Sequence, residues 1–143
     1  MSTEISQRRE RETRLVELFH GAPIAQYTGM HLRYDEAGQA IFDMPYNSRF
    51  DHALGGIHGG LIATMIDNAG WFTVAPNFPY WIATVEFSTR LLEHVQKEDL
   101  FSIGKIVRLG KTLAVCEMEV RTAKQRLIAT GAGTFMVTTV ALA

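Results

Sequence analysis

An α+β fold, with an antiparallel sheet of five or six strands wrapped around one long central helix, follows from three features of the chain. Residues 57–75 place Ile57, Leu61, Ile62, Met65, Ile66, Trp71 and Phe72 around the whole circumference of a helix, the pattern of a helix buried on every side. Residues 99–108, 112–122 and 126–138 are strand-like runs joined by the tight turns Leu109-Gly110-Lys111 and Ala123-Lys124-Gln125, which predicts a meander. Residues 30–44 alternate, with a break at Glu36-Ala37-Gly38-Gln39, which predicts a hairpin. The sheet then supplies the burial that the helix needs.

Taken in order, residues 1–22 hold an N-terminal amphipathic helix. Ile5, Leu15, Val16, Leu18 and Phe19 stand among Glu and Arg, with the i,i+4 pairs Glu4/Arg8 and Glu10/Arg14, and Gly21 and Pro23 end it. Its arginines read as a solvated, self-compensating face. After the hairpin comes a polar loop, Pro45 to Gly56, and then the central helix over 57–75. Pro76, Pro79 and the aromatics Phe78, Tyr80 and Trp81 turn the chain into a strand in which Val85, Phe87, Thr89 and Leu91 alternate with Thr84, Glu86, Ser88 and Arg90. The length, 143 residues, fits one domain over 1–143.

Composition narrows the function. With Lys+Arg 14 against Asp+Glu 15 the net charge is −1, so no global field draws nucleic acid or an acidic membrane surface. The apolar run of the central helix is interrupted by Asp67 and Asn68, and the N-terminus lacks the apolar core of a signal peptide; neither a membrane span nor secretion is expected. The single cysteine, Cys116, makes no internal disulfide and agrees with a reducing cytoplasm; its mid-strand position reads as core. There is no G-x-S-x-G, H-E-x-x-H, Walker A or G-x-G-x-x-G signature. His20, His31, His52, His58 and His94 lack ligand spacing, so neither a metal nor a cofactor is expected.

One constellation remains. His58-Gly59-Gly60 opens the central helix, where backbone N–H groups lack intrahelical acceptors and the dipole is positive. A substrate carbonyl can approach glycine amides closely there, as in an oxyanion hole; a tight entry into a crowded helix also asks for glycine. Asp67 is a carboxylate within an apolar helix, with Asn68 or a water as its available partners. From Gly59 to Asp67 is 67 − 59 = 8 residues, about 12 Å along one helix. A single carbonyl cannot touch both. If both act on one substrate, Asp67 comes from a second chain whose helix runs antiparallel, as in a two-fold dimer with two equivalent sites.

At these residues the sequence resembles the hotdog-fold thioesterases of the phenylacetic-acid-degradation type, whose hallmark is an H-G-G turn into the central helix followed eight residues after the first glycine by Asp or Glu. TVEFSTRLLEH resembles the strand after that helix, and VRLGKTLAVCEMEVRTAKQRLIATGAGTFMV resembles the closing meander. The resemblance covers roughly residues 25 to 138 and implies hydrolysis of an aryl- or medium-chain acyl-CoA without a Ser or Cys nucleophile. It gives the Gly59 amide the thioester carbonyl, Asp67 the role of base or direct attacking group, and Thr84 the orienting of water or carboxylate. It gives His58 the holding of the turn or a hydrogen bond near the sulfur. Where the family often carries Asn, six residues before that histidine, this chain has His52, with Asn47 farther upstream.

For the CoA moiety, Gly60 of the turn and the cations Arg90, Arg108 and Lys111 are the candidates. Trp71, Phe72, Phe78, Tyr80 and Trp81 are candidates for the acyl pocket or a subunit contact. The expected assembly is a homodimer and, beyond it, a dimer of dimers. Two rival readings keep the fold: a hydratase or dehydratase pairing His58 or His52 with Asp67, and a non-catalytic acyl-CoA binding module.

Overall fold

The computed structural model describes residues 3–142. The elements in order are α1 (Thr3–Gly21), α2 (Pro23–Thr28), β1 (His31–Tyr34), β2 (Ala40–Met44), α3 (Gly59–Val74), β3 (Tyr80–Leu91), β4 (Leu100–Leu109), β5 (Leu113–Thr122) and β6 (Leu127–Ala141), with single 3-10 turns at Ser48–Phe50 and Ala75–Asn77. The six strands form one antiparallel sheet in the order β1-β2-β4-β5-β6-β3. α3 is the helix it wraps, and the architecture is the hotdog fold. The hairpin, the central helix and the meander lie where the sequence puts them. The short α2 was not expected; Pro23 stands in its first turn and Gly29, with φ 71°, ends it.

The core lies between α3 and the sheet. Met65, Ile66, Ala69 and Val74 from the helix meet Phe42, Met44, Val120, Ile128 and Phe135 from the strands, all essentially without solvent contact. Gly104 on β4 lets helix and sheet approach this closely: a Cβ there would overlap the Ala69 carbonyl and sit 2.5 Å from Thr73 Oγ1. Cys116 is fully buried, its thiol pushed up to about 12 by burial, which suits the core role read from the sequence.

α1 docks at one end through Leu15 and Phe19, whose ring meets Phe42 and Phe72 edge-on at 4.9 and 5.5 Å. Polar ties add direction: Arg11 donates to the Pro76 carbonyl and the Leu32 amide donates to His20 Nε2.

Two features of the sheet bear on function. β3 is an edge strand, 12 residues long, with an unpaired side and exposed Val85 and Leu91. Such an edge invites pairing with another strand. The ladder between β3 and β6 also slips between Thr84 and Glu86, and this bulge corrects the simple alternation expected there. Thr84 pairs with buried Phe135 and points inward, yet so do Phe87, Thr89 and Leu91, opposite Gly133, Gly131 and Ala129. One extra residue at Val85 has changed the phase of the strand.

Candidate active site

The N-terminus of α3 is built by its own sequence. His58 stands before the helix in an extended conformation (φ −60°, ψ 130°), and its Nδ1 accepts the Gly60 N–H at 2.8 Å. The His58 carbonyl accepts the N–H groups of Leu61 and Ile62 at 3.0 and 3.4 Å. Of the four opening amides, Gly59 alone has no hydrogen-bond partner among the described residues. Because Nδ1 is an acceptor, the proton of neutral His58 sits on Nε2, and the residue is exposed. The turn is fixed from outside by His58 N–H donating to the Phe50 carbonyl and Ile57 N–H donating to that of Val95, both at 2.9 Å. A Cβ on Gly59 would lie 2.6 Å from Leu91 Cδ1, so the inward Leu91 covers one flank of the free amide.

Two turns along α3, Asp67 Oδ1 accepts the Thr84 hydroxyl at 2.9 Å. Thr84 is the partner, while Asn68 turns to the Met30 sulfur. Burial holds the Asp67 carboxyl above the ordinary carboxylate value, and the Thr84 hydrogen bond pulls the other way. The helix is not buried on every side as its composition suggests. Ile62, Met65, Ile66, Ala69, Gly70, Thr73 and Val74 face the sheet, whereas Gly60, Thr64, Asp67 and Trp71 form a stripe that the chain's own sheet leaves at least partly open. The carboxylate stands on the open face.

The remaining candidates fall in different places. His52 Nδ1 accepts the Leu54 amide at 3.1 Å, which leaves Nε2 as its donor, and its ring lies 5.7 Å from that of His94 across Gly56. His94 was not singled out by sequence, since nothing in spacing joins it to residue 56. Asn47 Oδ1 accepts the Arg49 amide and caps the 3-10 turn. The Gly60 amide is occupied by His58 and is therefore withdrawn as a donor to ligand.

The three cations are not gathered. Arg90 opens onto a groove of about 560 Å³ on the sheet face away from α3, shared with Lys105, Glu117 and Glu119. Arg108 and Lys111 flank the exposed β4–β5 turn. Arg90 pairs with Thr130 and Leu113 of that turn with Met136, six positions apart on β6, or roughly 20 Å. One phosphate group cannot meet all three. Among the described residues no cluster of three His, Cys, Asp or Glu side chains is placed to hold a metal, and no helix is long and apolar enough to cross a membrane.

Comparison with known proteins supplies the lineage. Residues 54–129 match the family described as the thioesterase superfamily. A protein of Saccharolobus solfataricus, provisionally named an esterase, is 31% identical over 103 residues, covering 71% of this chain and 74% of its own. One of Halobacterium salinarum with the same provisional name is 28% identical over 131 residues, covering 82% and 85%. In three dimensions the PaaI protein of the E. coli phenylacetic acid degradation operon superimposes with a TM-score of 0.85 over 94% of this chain and 98% of its own, at 14% identity. That likeness shows the fold.

Proposed function

Starting from its membership of the thioesterase superfamily, to which this chain belongs, we propose that it hydrolyses an acyl-CoA thioester to the free acid and CoA. The observation that carries the reading is the free Gly59 amide: one N–H at a helix N-terminus, its neighbours all satisfied, and glycine at that position. A thioester oxygen that gains negative charge in the transition state would meet a donor already oriented for it.

Asp67 supplies the second half of the chemistry. With Oδ1 held by Thr84, its other oxygen either takes the proton of an attacking water or attacks the carbonyl carbon itself. The C–S bond then breaks. On the water route the sulfur takes the proton that Asp67 removed; on the direct route the thiolate leaves to be protonated by solvent while a water hydrolyses the acyl-Asp anhydride. The neutral His58, with Nε2–H as its donor, can hydrogen-bond to the leaving sulfur without giving up its proton.

The two groups are about 12 Å apart along their helix, so each site would join Gly59 of one chain to the partner's Asp67. Support for a two-fold pair comes from the unpaired β3 edge and from the open stripe of α3, where Gly60 and Thr64 are small enough for a second helix to pack closely. The direct test is release of free CoA, read with a thiol-reactive dye, from benzoyl-, butyryl- and dodecanoyl-CoA. Hydrolysis of at least one above the uncatalysed rate is expected; none at high protein concentration would remove the reading.

A pH effect follows from the Thr84 bond. That bond lowers the Asp67 pKa against the larger, raising effect of burial. In Thr84→Val, burial acts alone, so the acidic limb of the kcat/KM profile should move to higher pH. An unmoved limb would mean that the hydroxyl does not act on the ionising group.

A further inference from the structure

The open stripe of α3 ends in a tryptophan. Gly60, Thr64, Asp67 and Trp71 follow one another at spacings of four, three and four residues, and Trp71 stands one turn beyond the carboxylate. Two successive rungs tie this part of the helix to β3: Thr84 donates to Asp67, and the Trp71 indole N–H donates to the Ile82 carbonyl at 3.0 Å. Phe72 and Trp81 lie 4.6 and 5.5 Å from the Trp71 ring, and one side of the ring packs on the core. The indole is fixed, yet it keeps part of its surface accessible.

We infer that Trp71 is the residue that limits the length of the acyl group, by closing the acyl end of the site about one helical turn from Asp67. This rests on the thioesterase reading above. In a two-fold pair of antiparallel helices that sets Asp67 beside the partner's Gly59, residue numbers at equal height sum to 67 + 59 = 126. Trp71 then falls at about the height of the partner's Gly55, beyond the start of the partner's helix. Toward the two-fold axis, Thr64 and Gly60 face the partner's helix and that direction is filled. In the opposite direction the space ends on the indole.

Of the two groups attached to the thioester carbon, the pantetheine arm carries amides and ends in phosphates, so water suits it. The apolar acyl group takes the aromatic side. One turn of helix is about 5.4 Å, room for a flat ring against the indole or for a few methylenes. A long chain runs into a side chain pinned by a hydrogen bond and two rings.

The experiment is a chain-length series on the full-length protein and on Trp71→Ala and Trp71→Phe, with folding and assembly state checked for each. For the natural protein, kcat/KM on benzoyl- and butyryl-CoA should exceed that on dodecanoyl-CoA by at least about tenfold. Trp71→Ala should invert the order, losing benzoyl-CoA mainly through KM while gaining dodecanoyl-CoA, and Trp71→Phe should keep the original order. A purely structural role would lower all substrates together. A folded Trp71→Ala with an unchanged ratio overturns the inference and leaves the hydrolase intact. Should that variant fail to fold, the natural protein decides: dodecanoyl-CoA cleaved as readily as benzoyl-CoA overturns it. No cleavage of any substrate removes the thioesterase reading, and the inference with it.

Discussion

Asp67→Asn should lower kcat by roughly 10²- to 10⁴-fold, the usual range for removing a positioned base, while the protein becomes more resistant to unfolding at neutral pH. The two effects share one cause. Burial raises the Asp67 pKa above its value in the unfolded chain, so between those two values the folded state binds more protons than the unfolded one. Stability therefore falls as pH rises through that window, and the loss persists at neutral pH. Asparagine keeps nearly the same shape and can still accept from Thr84, but carries no charge to desolvate. The stability gain should vanish once the solution is acidic enough to protonate Asp67 in both states. Urea unfolding at neutral and acid pH, beside single-substrate kinetics, checks both halves. Retained turnover would dismiss Asp67 as the acting group; equal loss of stability and turnover would recast it as a structural residue.

The second large effect is recovery of activity by mixing two dead chains. Gly59→Pro removes the free N–H, and the first position of a helix is where proline is best tolerated; a Cβ there meets only the flexible side chain of Leu91. Asp67→Asn removes the carboxylate. If each site takes its amide from one chain and its carboxylate from the other, a hybrid dimer has one intact site and one doubly damaged site. Random exchange makes half of the dimers hybrid, so about a quarter of the wild-type activity should return. Mass spectrometry of the mixture establishes exchange. Exchange without activity would mean that the two groups do not serve one carbonyl across the interface.

How much of this was legible beforehand depended on the range of the interaction. The turn chemistry of His58-Gly59-Gly60 is local, and the H-G-G pattern with Asp67 eight residues on was enough to find it. The cap adds a detail no pattern shows, that His58 occupies the Gly60 amide and so singles out Gly59. Which face of α3 is covered was not legible, because apolar residues all around a helix say nothing of where a sheet ends. Large side chains such as Met65 and Ile66 go to the sheet, and the small Gly60 and Thr64 mark the open side.

The family resemblance points to Thr84, although simple alternation of its strand sets it with Glu86, Ser88 and Arg90, on the face away from α3. The bulge at Val85 is set by pairing with β6, more than forty residues away in sequence. His94 against His52 and Leu91 over Gly59 are likewise contacts between distant segments, invisible to spacing. The cations Arg90, Arg108 and Lys111 looked alike as exposed charges, and only the sheet register separates them.

The bulge in β3 also limits how this strand can change over time. Thr84 reaches Asp67 and Leu91 reaches Gly59, both from the inner face, only because their odd spacing, 91 − 84 = 7 positions, is offset by one residue that the ladder skips. Substitutions along the strand leave that parity alone. Deleting or inserting a single residue there reverses it, turning either the hydroxyl or the leucine to the outer face of the sheet. The spacing from Thr84 to Leu91 is in this sense a count that the chain has to keep, whatever side chains occupy it.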